Sequence, residues 1–198
     1  MKVLIIAGYI SRFLCAILLV TTLSGCIAAA VGVVSVTTID MVYDRRSVGG
    51  YIDDGTIEAT FKQYILRNSA LRKSTHINGT SFNGIFLLTG EVPDENVKQQ
   101  ITSYATNIQG VRQIVDETRI SGKTAFFSRT NDTWLTAKVK SMLLKQLKID
   151  ATRIKVKSEY GHVYLMGIVT PEEAEAATQV ASSARGVVRV VKVFEYQS

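Results

Sequence analysis

The chain has 198 residues, 23 Lys and Arg against 17 Asp and Glu, and a net charge of +6. With 46% hydrophobic residues and only two prolines it is neither disordered nor collagen-like. Two cysteines exclude a disulfide scaffold, so the fold rests on apolar cores.

In chain order, residues 1–25 have the layout of a bacterial export signal. Lys2 and Arg12 supply positive charge, and Phe13 to Leu23 is an apolar core interrupted only by Thr21 and Thr22. That core is well short of the roughly 20 residues that a spanning helix needs. Leu23-Ser24-Gly25-Cys26 follows, which resembles a lipobox. The resemblance implies diacylglycerol on Cys26, cleavage before it and acylation of the new amine. Residue 27 is Ile rather than Asp, which leans toward the outer membrane. Residues 26–53 then form a lipidated N-terminus and tether. Whether its apolar part lies near the bilayer or packs on the domains is open in the sequence.

The remainder repeats itself. Asp54-Gly-Thr-Ile-Glu-Ala-Thr-Phe-Lys matches Asp132-Thr-Trp-Leu-Thr-Ala-Lys-Val-Lys, and Gly84-Ile-Phe-Leu-Leu-Thr-Gly-Glu-Val matches Gly161-His-Val-Tyr-Leu-Met-Gly-Ile-Val. Gly110-Val-Arg-Gln-Ile-Val likewise matches Gly186-Val-Val-Arg-Val-Val. The copies span 54–120 and 131–198, with 121–130 as a short linker in which Phe126 and Phe127 point to packing on a domain. Each copy predicts a helix first. Ile57, Phe61, Tyr64 and Ile65 line one face in copy one. Leu135, Val139, Met142 and Leu143 do so in copy two, with Asp132 as the expected cap. Two strands follow, joined by tight turns at Asn83-Gly84 and Tyr160-Gly161. Phe86, Leu88 and Val92, or Val163, Leu165 and Val169, alternate toward the core, while Leu87 and Tyr164 are apolar on the other face. Thr170-Pro171-Glu172-Glu173 carries a capping box with Pro at the first helical position, and Pro93-Asp94-Glu95 plays that part in copy one. Gly110 and Gly186 end these second helices, and a Val/Ile-rich strand closes each copy. The fold class is α+β: two tandem αββαβ units, each a two-layer sandwich with helices on one sheet face.

This duplicated unit, with its strand-Gly-x-apolar-x-apolar-x-Gly-x-apolar pattern, resembles the BON domain. The lipobox at Cys26, Asp44-Arg-Arg-Ser-Val-Gly, Asp53-Asp54-Gly-Thr-Ile-Glu, Asn131-Asp-Thr-Trp-Leu-Thr-Ala-Lys-Val and Val163-Tyr-Leu-Met-Gly-Ile-Val-Thr are more specifically similar to the dual-BON lipoproteins of the Gram-negative envelope. The resemblance implies a non-enzymatic protein, lipid-anchored on the periplasmic face of the outer membrane. It implies binding of anionic phospholipid (phosphatidylglycerol, cardiolipin) through the second domain and support of outer-membrane integrity. It also implies links to β-barrel assembly and division sites, so an adaptor for that machinery is the alternative function. No cofactor and no nucleic acid are implied.

The residues bear on the same division of labour. Copy one is neutral, with seven basic and seven acidic residues, whereas copy two has ten basic and seven acidic. Most of that excess is on the first helix of copy two, as Lys138, Lys140, Lys145 and Lys148. At about 100° per residue, Trp134, Lys138, Ser141, Lys145 and Lys148 share an outer face that Leu144 extends. Trp134 matches Thr56 in copy one, so the fold does not require an aromatic there. An indole beside lysines suits an anionic bilayer surface, and packing of Trp134 against copy one or the linker is the structural alternative. The resemblance places lipid contacts at Trp134, Val139 and Leu144, although the wheel turns Val139 toward the core. His76 and His162 occupy unmatched positions without a cluster at ligand spacing, and no hydrolase or phosphate-loop motif is present.

Overall fold

The computed structural model describes residues 45–121, 126–146 and 150–197, without the side chains of 126–130. Cys26, Lys148, the export signal and most of the tether lie outside the described residues.

Helix α1 (Val48–Arg67) begins earlier than the repeat boundary at Asp54, because the Ser47 side chain accepts from the Gly50 N–H and caps it. A short helix α2 (Ser69–Ser74) follows, capped by Asn68. Strands β1 (His76–Phe82) and β2 (Ile85–Val92) form an antiparallel hairpin, helix α3 (Glu95–Thr106) crosses over, and β3 (Gln113–Ile120) pairs parallel to β2. The second copy repeats the plan with α4 (Phe126–Leu143), β4 (Lys155–Glu159), β5 (His162–Val169), α5 (Pro171–Ser182) and β6 (Arg189–Tyr196). Each sheet has the second strand of its hairpin at its centre, in orders β1-β2-β3 and β4-β5-β6.

The second helices begin as the sequence predicts. Asp94 caps α3 by accepting from the Val97 N–H, and Thr170 and Glu173 form a reciprocal capping box on α5. The entry to α4 differs from expectation. Asp132 does not cap it, because the helix already starts at Phe126 and takes in half of the expected linker. The Asp132 carboxylate instead accepts from the Tyr160 and Gly161 N–H groups, at 2.8 and 2.9 Å. Asp54 does the same in copy one for Asn83 and Gly84, at 2.6 and 2.9 Å. Each pair of turn residues has positive φ (50° and 75° in copy one, 55° and 71° in copy two), the geometry of a two-residue hairpin turn with unpaired amides. A carboxylate on the first helix satisfies those amides and locks helix to hairpin.

The helix-facing sides of the sheets build two cores. Ile57, Phe61, Phe86, Leu88, Val92 and Ile101 belong to one; Leu135, Val139, Leu143, Val163, Leu165 and Val169 belong to the other. The opposite sheet faces meet each other. Phe82, Ile85 and Leu87 from copy one and Tyr164, Met166 and Val193 from copy two form a third buried cluster. Leu87 and Tyr164, apolar on the face that a lone sandwich would leave wet, are thereby buried. Polar groups ring this seam: Arg112 Nη2 and Asn83 Nδ2 donate to Glu195, Lys155 Nζ to Glu58 at 2.7 Å, Asn78 Nδ2 to Glu159 at 3.2 Å, and Arg189 to Glu117. No helix among the described residues is long and apolar enough to cross a membrane.

Candidate functional site

The outer face of α4 is positioned by its inner one. Leu135, Val139 and Leu143 descend into the copy-two core at one-turn spacing, which turns Trp134, Lys138, Ser141 and Lys145 away from the sheet. Trp134 is 56% exposed and Leu144 67%, large apolar side chains left open to solvent. Lys138 Nζ lies 4.8 Å from the centroid of the Trp134 ring and donates to the Arg185 carbonyl at 3.0 Å. That carbonyl lies just beyond the end of α5, so the ammonium is pinned between a ring face and a fixed acceptor. A cation over an indole is attractive by about 0.5–1 kcal/mol at exposed sites. The pinning also holds the ring outward. Ser141 Oγ donates to the Lys138 carbonyl at 2.8 Å, and Lys145 follows on the exposed turn beyond the helix.

The structure therefore places Trp134, Lys138, Ser141, Leu144 and Lys145 at solvent-facing positions along α4 and the turn that follows it, with Lys138 against the Trp134 ring. It does not so place Val139, which is fully buried with Leu135 and Leu143 because its place on the helix falls on the core stripe. Arg185 was not singled out by sequence. It enters through its main chain from 47 residues away, and only the basic count of copy two hinted at it. The histidines stay apart from this face. His76 Nε2 is 3.7 Å from Glu159 Oε1, and burial, then Arg189, lowers the pKa of His162.

A model of the BON domain matches residues 53–122 and again 131–198. The chain belongs to the BON-domain family. Its two BON domains are the two αββαβ sandwiches, and the Trp134 face is on the first helix of the second. Over 174 residues the chain is 38% identical to the outer membrane lipoprotein DolP of Haemophilus influenzae, covering 88% of this chain and 90% of that one. It is 34% identical to a 21 kDa hemolysin of Actinobacillus pleuropneumoniae, covering 77% and 79% of the two chains. It is 24% identical to the osmotically-inducible protein Y of Escherichia coli, covering 72% of each.

Proposed function

We propose that this dual-BON protein is a non-enzymatic lipoprotein of the outer membrane, held at the periplasmic face by acyl chains on Cys26, whose second BON domain docks on anionic phospholipid. The observation that carries the reading is Trp134, more than half exposed on a helix face where Lys138 is fixed over its ring and Lys145 and Leu144 lie beyond it. The indole enters the interfacial layer while the lysines meet phosphate, each worth about 1 kcal/mol near an anionic surface. Similarity to DolP, named an outer membrane lipoprotein, supports the compartment, and the lipobox supports the anchor. Acyl chains, at about 0.8 kcal/mol per buried CH₂, hold the chain on a membrane. The α4 face selects the lipid beneath it, which serves outer-membrane integrity.

The test uses the full chain in phosphocholine micelles, to which phosphatidylglycerol or cardiolipin is added. Amide shifts of Trp134, Lys138, Ser141, Leu144 and Lys145 should move saturably, and Trp134→Glu should abolish the movement while the core signals persist. Unchanged movement in that variant contradicts the site. Crosslinks from position 134 to protein rather than lipid would favour the adaptor for outer-membrane β-barrel assembly or division machinery.

A further inference from the structure

The two BON domains repeat one buried network with one member changed. In copy one, Asp54 binds the hairpin turn and also accepts from Ser81 Oγ at 2.5 Å and from Arg46 Nη1 at 2.7 Å. The Arg46 guanidinium stacks 4.1 Å from the centroid of Phe82. Burial works to raise the Asp54 pKa, but the hydrogen bonds from Gly84, Ser81, Arg46 and Asn83 outweigh it and hold the carboxyl below its usual range.

In copy two the matching residues are Asp132, Ser158 and Glu159, in place of Asp54, Ser81 and Phe82. They are 5%, 4% and 6% exposed. The position matching Arg46 is Thr124, which carries no charge. No described cation forms an ion pair with Asp132, and Ser158 Oγ, in the place of the Ser81 hydroxyl, has no hydrogen-bond partner. Burial raises the pKa of both Asp132 and Glu159, tempered for Asp132 by the Gly161 hydrogen bond and then Lys157, and for Glu159 by Lys157 and then the Asn78 hydrogen bond. All of them line a cavity of about 200 Å³ that opens to solvent beside Asn78 and His76, on the side of α4 away from Trp134. The cavity thus has two desolvated carboxylates and an unpartnered hydroxyl where copy one has a carboxylate, a hydroxyl and its own guanidinium.

We propose that the Asp132–Ser158–Glu159 cavity is a binding site for a guanidinium, delivered by an arginine side chain. Copy one provides the precedent: the carboxylate matching Asp132 already accepts from the Arg46 guanidinium on one oxygen and from the Ser81 hydroxyl on the other. Replacing Phe82 by Glu159 exchanges a stacking face for a second anion. A planar fork of five donors spans two carboxylates and a hydroxyl over a wider reach, and with a fixed geometry, than the three donors of a compact ammonium. The arginine belongs to a partner protein.

The experiment titrates the full chain in phosphocholine micelles with N-acetyl-arginine amide and, separately, N-acetyl-lysine amide. The reporters are the Tyr160 and Gly161 amides, which donate to Asp132. Saturable shifts with the arginine probe, at least several-fold tighter than with the lysine probe and lost in Ser158→Ala and Glu159→Gln, uphold the site and assign it to a partner's arginine. Shifts that never saturate, or that match between the two probes, overturn it. Trp134→Glu leaves these shifts in place, so failure here is distinguishable from failure of the phospholipid reading.

Discussion

Arg46 and Asp54 form a nearly buried pair in copy one, and removing one partner of such a pair strands the other. Arg46→Ala is expected to destabilise the chain by about 3 kcal/mol or more, read as a fall in the urea midpoint. The pair also has a pH signature. The folded pKa of Asp54 lies below its unfolded value of 3.8, so its stabilisation is present above that value and is lost as pH falls through the folded pKa. Acid unfolding of Arg46→Ala should therefore begin at higher pH than in the parent. Glu159 has the opposite sign. Its folded pKa is raised above 4.5 by burial, so it favours the folded state below 4.5 and that contribution is lost as pH rises through the folded value. Glu159→Gln should flatten the decline in stability above pH 4.5, measured by urea midpoints across that range. A decline as steep in the variant as in the parent would contradict the assignment.

At the scale of one helix, α4 keeps its core-facing side apart from the side proposed to dock on lipid. Val139→Ala deletes buried methyl groups and should cost about 2 kcal/mol while leaving the phospholipid-induced shifts intact. Leu144→Ala should change stability by less than about 0.5 kcal/mol and weaken those shifts. The reverse pattern in thermal melts and lipid titrations would contradict the assigned faces. Periodicity made this helix legible: Leu135, Val139 and Leu143 predicted the core, and the same wheel turned Val139 inward against its proposed lipid role. What periodicity could not show was where the helix starts. Asp132 has the chemistry of an N-cap, and only tertiary structure reveals that its carboxylate is engaged by the Tyr160-Gly161 turn. The Arg185 carbonyl that pins Lys138 was hidden for a similar reason, since main-chain acceptors carry no mark in sequence.

At the scale of the molecule, the duplication and both αββαβ units were legible because their strands alternate and their turns carry Gly at matched positions. The arrangement of the units was not, although Leu87 and Tyr164 were its trace: apolar side chains on the sheet face that helices do not cover. Joining the sheets through these residues predicts that the two domains unfold as one cooperative body. Leu87→Asp places an unpaired charge in the seam from the copy-one side. It should lower the unfolding midpoint reported by Trp134 in copy two, whereas independent domains would leave that midpoint unchanged. The seam also holds the proposed docking face of copy two against copy one. Trp134 is the single tryptophan of the chain, so its emission reports that face alone. The decisive measurement is quenching of this emission in full-length protein reconstituted into vesicles containing bromine-labelled phosphatidylglycerol or bromine-labelled phosphatidylcholine. Blue-shifted emission quenched strongly by the labelled phosphatidylglycerol, and little by equal labelled phosphatidylcholine, is the predicted result. Emission that stays water-like and unquenched by either lipid would contradict the docking of copy two on anionic membrane.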